Sequence, residues 1–118
     1  SSYFIGSIVA YDNDIKKQLL SVSDSTLYNY GSVSEQCVLE MSSGVKNALK
    51  TDISVAVSGV AGPTGGSVEK PVGTIWIAIR IGEIVRTKKL KLSKNRSENI
   101  EKTSNYALDL LRKMLIEM

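Results

Sequence analysis

The chain has 118 residues, one cysteine, no histidine and a formal net charge of +3. That length supports one domain with a genuine core, and 42% apolar with 23% charged residues is an ordinary globular composition. The lack of histidine excludes Ser-His-Asp and Cys-His catalysis and histidine metal sites, which leaves acid–base chemistry to lysine, carboxylates or tyrosine.

No apolar run approaches the ~20 residues of a membrane-spanning helix, and the amino end carries no signal-like pattern. A lone Cys37 has no internal disulfide partner, so a reducing, cytoplasmic setting is expected.

Phe4 to Tyr11 is rich in β-branched residues and reads as a strand. Asp12-Asn13-Asp14 supplies helix-start residues for a short amphipathic helix carrying Ile15, Lys16, Leu19 and Leu20. Ser23 to Tyr30 reads as a second short helix that stops at Gly31. Ser34 to Lys50 is predicted as a longer helix, because Val38, Met41, Val45, Ala48 and Leu49 recur at helical spacing. Ser32 and Glu35 have capping-box spacing, with Ser34 as the alternative cap. Cys37 and Met41 fall on the apolar face and read as core.

Asp52 to Val60 is predicted as a central strand. It runs into the densest stretch of turn residues, Ser58 to Thr74, which holds five of the nine glycines and both prolines. A merely structural turn has little use for so many glycines. Glycine lets backbone N–H groups come close to a ligand, and such concavities favour anions. The stretch therefore reads as a ligand-facing loop, and a long structural turn is the bland alternative. Thr74 to Ile81 follows as a strand, with a tight Gly82-Glu83 hairpin into Ile84 to Leu92. Basic residues crowd between Arg86 and Arg96; this is either an anion-facing patch or a lysine-guarded edge strand. A final helix capped within Ser93 to Arg96 carries Ile100, Thr103, Ala107, Leu110, Leu111, Met114 and Leu115 on one stripe. The order of elements implies an α/β domain, layered αβα with a mixed sheet, over residues 1–118. No Walker A or dinucleotide-binding glycine pattern is present.

Four stretches carry a further signal: Tyr11-Asp12-Asn13-Asp14-Ile15-Lys16; Gly31-Ser32-Val33-Ser34-Glu35; Ser58-Gly-Val-Ala-Gly-Pro-Thr-Gly-Gly through Glu69-Lys70-Pro71-Val72-Gly73-Thr74; and Lys94-Asn95-Arg96. Together and in this order they resemble the C-terminal domain of the CinA family, the nicotinamide mononucleotide deamidases. The resemblance spans essentially the whole chain. It implies a three-layer αβα fold, hydrolysis of a nucleotide carboxamide to a carboxylate with release of ammonia, a homo-oligomer, no metal or other cofactor, and a serine–lysine mechanism. It also implies a nucleophilic serine in a Glu-Ser-Cys-Thr-Gly-Gly-like segment upstream of Ser1. That serine, and the helix–strand–helix segment around it, has no counterpart here, so the chain reads as an N-terminally truncated domain.

On this resemblance Lys16 matches the catalytic lysine. A lysine base must be neutral, well below its reference pKa of ~10.4. Burial and the positive end of its helix favour that, whereas Asp12 and Asp14 oppose it. Tyr11 would position the lysine or stack on a flat ring, and Ser58 would bind the carboxamide or relay a proton. Asn13 offers either a cap or a substrate contact. Backbone groups of Gly59, Ala61, Gly62, Gly65 and Gly66 are candidates for holding phosphate or the tetrahedral oxyanion, and Arg96 for clamping a phosphate. Glu69 and Lys70 would brace the loop. The alternatives are a non-catalytic pyridine-nucleotide binder and a nucleic-acid accessory protein using the basic patch. The latter is disfavoured because no aromatic platform accompanies the basic run. No membrane association is expected.

Overall fold

The computed structural model describes residues 2–118. Its elements are α1 (Asn13–Leu20), α2 (Asp24–Tyr30), α3 (Glu35–Leu49), β1 (Ile53–Gly59), β2 (Thr74–Ile81), β3 (Ile84–Lys91) and α4 (Arg96–Ile116). The sheet is antiparallel throughout the described residues, in the order β1-β2-β3. α3 lies on one face with α1 and α2 against it, and α4 lies on the other, which gives the layered α/β architecture.

The two-sided burial of β2 explains its continuous apolar sequence. Trp76 and Ala78 face Leu20, Val22, Cys37, Val38 and Met41. Ile75, Ile77, Ile79 and Ile81 face Ala107, Leu110, Leu111 and Met114 of α4. A strand covered on both faces loses the polar alternation of a surface strand.

Each helix starts where a side chain accepts an orphan backbone N–H. Asp12 Oδ1 takes Asp14 N at 2.7 Å, Ser23 Oγ takes Thr26 N at 3.1 Å, Ser34 Oγ takes Cys37 N at 3.1 Å, and Asn95 Oδ1 takes Glu98 N at 2.9 Å. Ser34 is thus the cap of α3, and Asp12 rather than Asn13 caps α1.

Three expectations need correction. Phe4 to Tyr11 is not a strand. Ile8 and Ala10 pack on the core while Val9 and Tyr11 stay exposed. Alternation decides which side chains turn inward, but a ladder also needs a strand alongside, and no described strand pairs with this segment. With that strand gone, the sheet is antiparallel rather than mixed. Finally, β1 is an edge strand among the described residues, not a central one: Ser54 and Ala56 are buried toward α3, whereas Val55 and Val57 are each 40% exposed on the opposite face.

No helix among the described residues is long and apolar enough to cross a membrane.

Candidate functional site

Lys16 is the buried polar residue of α1, only 6% exposed. Its Nζ donates to the Ala10 carbonyl at 2.6 Å and, more weakly, to the Tyr11 carbonyl at 3.5 Å. The extended segment before α1 thus contributes main-chain acceptors, and the Tyr11 ring itself is 94% exposed. Asn13 is exposed in the first turn of α1.

Beneath this lysine lies the start of α3. The Cys37 thiol is fully buried there, and burial pushes its pKa up. Lys16 and Lys70 pull it down and Glu40 pushes it up further. All three charged groups therefore lie within electrostatic reach of the first turns of α3. The Glu40 carboxylate accepts from Ser23 N at 2.8 Å and from the Thr26 hydroxyl, so it fixes the start of α2.

The turn joining α2 to α3 is pinned from three sides. The Tyr30 carbonyl accepts from Lys70 Nζ, the Gly31 carbonyl from Ser34 Oγ at 2.8 Å, and the Ser32 carbonyl from Ser58 Oγ at 2.7 Å. Lys70 and Ser58 belong to the two arms of the glycine loop. Lys70 therefore braces the loop as expected, and the Ser58 hydroxyl proton is engaged with the main chain.

The stem of the loop is closed by Val60 N donating to Thr74 O at 2.9 Å and Gly73 N to Val60 O at 2.7 Å. Its other flank rests on α4. Arg96 Nη1 donates to the Gly62 carbonyl at 3.1 Å, and Asn99 Nδ2 to the Ala61 carbonyl at 2.9 Å. Gly62 has φ +91°, and a Cβ there would come within 2.4 Å of Val72 Cγ1, so only glycine fits. Gly59 is exposed at the end of β1, and Gly65 and Gly66 are exposed in the outer arm. The structure thus brings Ser58, Gly59, Ala61, Gly62 and Arg96 together in one hydrogen-bonded loop and its flanks. Lys16 and Tyr11 sit on the α1 side of α3.

A groove of about 520 Å³ runs between β1 and α4, walled mainly by Val55, Val57, Ile75, Ile100 and Leu108, and it reaches the foot of the glycine loop at Gly59, Ala61 and Asn99. It is apolar and lacks the convergent charged groups that chemistry on a nucleotide requires.

A model of the CinA C-terminal domain matches residues 1–115. The chain belongs to the CinA C-terminal domain family. It is 47% identical over 115 residues to a CinA-like protein of Amoebophilus asiaticus, covering 98% of this chain and 28% of that protein. It is 45% identical over 118 residues to a CinA-like protein of Pseudothermotoga lettingae, covering 100% of this chain and 29% of that one. The chain therefore spans less than a third of the length of these CinA-like relatives. Among solved structures, competence damage-inducible protein A of Klebsiella pneumoniae superposes with a TM-score of 0.87 at 37% identity, over 92% of this chain and 67% of that chain. A competence/damage-inducible protein of Agrobacterium tumefaciens gives 0.84 at 36% identity, over 87% and 64%.

Sequence reasoning missed Asn99. It is fully buried, and its amide also accepts from Ser93 N at 3.0 Å and Ser93 Oγ at 3.2 Å and donates to Ser93 O at 2.8 Å. The available signal was its place on the inward stripe of α4, four residues before Thr103 and eight before Ala107. A polar side chain on such a stripe must find partners.

Proposed function

We propose that this domain is part of an amidohydrolase that converts nicotinamide mononucleotide to nicotinate mononucleotide and ammonia. The observation that carries the reading is the burial of Lys16 with its Nζ directed by two main-chain carbonyls. The two carbonyls hold the amine in one orientation at the start of α1, which is the positioning a proton-transferring group requires.

In this reading a serine from a preceding segment supplies the nucleophile, as family membership suggests. Lys16 takes the serine proton as the oxygen attacks the carboxamide carbon. The C–N bond then breaks, and Lys16 returns that proton to the departing nitrogen, which leaves as ammonia. Water attacks the resulting ester, with Lys16 again accepting and returning a proton, and the carboxylate product is released. Loop amides stabilise the oxyanion at each tetrahedral stage, and Arg96 stands at the mouth of α4 for the phosphate. Ser58 supports the site by holding the turn before α3.

The basic run favours this reading over nucleic-acid binding. Arg86 pairs with Glu117 at 2.7 Å, and Lys88 and Lys89 lie over the Tyr106 and Trp76 rings at 5.3 and 5.8 Å. Much of the patch is therefore engaged within the domain.

Incubating the full-length protein with nicotinamide mononucleotide and identifying the products tests the proposal. Stoichiometric nicotinate mononucleotide and ammonia support it. Tight binding without turnover points instead to a non-catalytic nucleotide binder, and neither binding nor turnover removes both readings.

A further inference from the structure

Asn99 and the Ala61–Gly62 peptide form a device whose orientation the mechanism above leaves unspecified. The Asn99 amide is saturated: Oδ1 accepts twice from Ser93, and Nδ2 donates to Ser93 O and to Ala61 O. Flipping the amide would set Oδ1 against two carbonyl oxygens, so its orientation is fixed by its neighbours.

The Ala61–Gly62 peptide is trans, and in a trans peptide the C=O and the following N–H point in opposite directions. With the Ala61 carbonyl drawn onto α4 by Asn99, the Gly62 N–H points away from α4. Arg96 holds the next carbonyl, that of Gly62, so this short segment is fixed on both sides. The Gly62 residue is buried, and its N–H makes no backbone hydrogen bond among the described residues. A buried backbone donor without a partner is rare and normally satisfied by water or a ligand.

We propose that Asn99 is a positioning residue that aims the Gly62 N–H at an anionic oxygen of the bound mononucleotide. The inference rests on the nucleotide reading above and adds to it one specific donor and the residue that orients it. Hydrogen bonds from backbone N–H to an ionised oxygen are short and strong, and a donor held in place before the ligand arrives needs no reorganisation.

Amide-resolved NMR titration of the protein tests this, with nicotinate mononucleotide and ribose 5-phosphate as separate probes. The Gly62 amide is expected to move downfield and become protected from exchange. A response to both probes assigns the phosphate as acceptor, and a response to the mononucleotide alone assigns the carboxylate. Asn99→Asp keeps the acceptor toward Ser93 but loses the donor to Ala61. It should weaken binding about tenfold and abolish the Gly62 response, whereas Thr103→Val, one turn along the same face, should leave both intact.

Ligand-induced shifts elsewhere with Gly62 unmoved overturn this inference while leaving the nucleotide reading standing. No shift anywhere with either probe overturns both. If Asn99→Asp does not fold, scalar coupling across the Asn99 Nδ2–Ala61 carbonyl hydrogen bond in the wild-type protein decides the point, and its absence overturns the proposal.

Discussion

The Ser58 hydroxyl donates to the carbonyl of Ser32 at 2.7 Å, tying the strand that leads into the glycine loop to the turn that starts α3. The bond spans 26 residues of sequence and is half-buried. Its removal leaves a main-chain carbonyl short of a partner. Ser58→Ala should therefore lower unfolding free energy by about 1 kcal/mol, seen in urea as a lower midpoint with an unchanged slope. Unchanged stability together with abolished nucleotide binding would instead make Ser58 a ligand-contacting hydroxyl.

Gly44 packs the middle of α3 against the end of α1. An added Cβ would come within 1.8 Å of the Leu20 carbonyl oxygen, an atom of rigid backbone. Alanine in a helix interior ordinarily gains about 1 kcal/mol over glycine, whereas overpacking costs about 1–3 kcal/mol. The clash should win here. Gly44→Ala is expected to lower the melting temperature, and a rise would show that α1 can shift freely over α3.

Cys37 gives the alkaline limb of stability a definite sign. Burial raises its pKa above the ordinary 9.0, so above that pH the folded chain retains a proton that the unfolded chain has lost. Stability is then fully present below pH 9.0 and falls as pH climbs through the folded value. Cys37→Ala should start from lower stability but lose this part of the slope. Native Cys37 should also resist thiol reagents until the chain unfolds, and rapid labelling at neutral pH would contradict its burial.

The outward face of β1 makes another prediction. Val55 and Val57 are 40% exposed and border the apolar groove beside α4, and the far edge of β1 carries no described strand. Unpaired edges and exposed apolar patches promote association. Sedimentation velocity on this 118-residue chain should show concentration-dependent self-association, reduced by Val57→Lys. A monomer at all concentrations would show the face to be innocuous.

Much of this architecture was legible because it is local. Asp12, Ser23, Ser34 and Gly31 mark helix ends by short-range chemistry, and the Gly82-Glu83 hairpin does the same for β2 and β3. Sheet position was not legible, since the apolar runs of β1 and β2 look alike although only β2 is covered on both faces. Phe4 to Tyr11 is as apolar and β-branched as a strand, yet no described strand pairs alongside it, and pairing is a long-range property. The site divides the same way. The glycine loop declared itself by composition, whereas Lys70 on the Tyr30 carbonyl and Asn99 on that of Ala61 join residues 40 and 38 apart. No local pattern encodes such contacts.

The central claim is that the buried Lys16 amine moves protons during carboxamide hydrolysis. Its most direct test is ammonia release from nicotinamide mononucleotide by the full-length protein, wild type against Lys16→Ala, with folding of both verified. Loss of a general base should lower kcat by about 10²–10⁴-fold with little change in nucleotide affinity. Equal turnover by the two proteins would contradict the account.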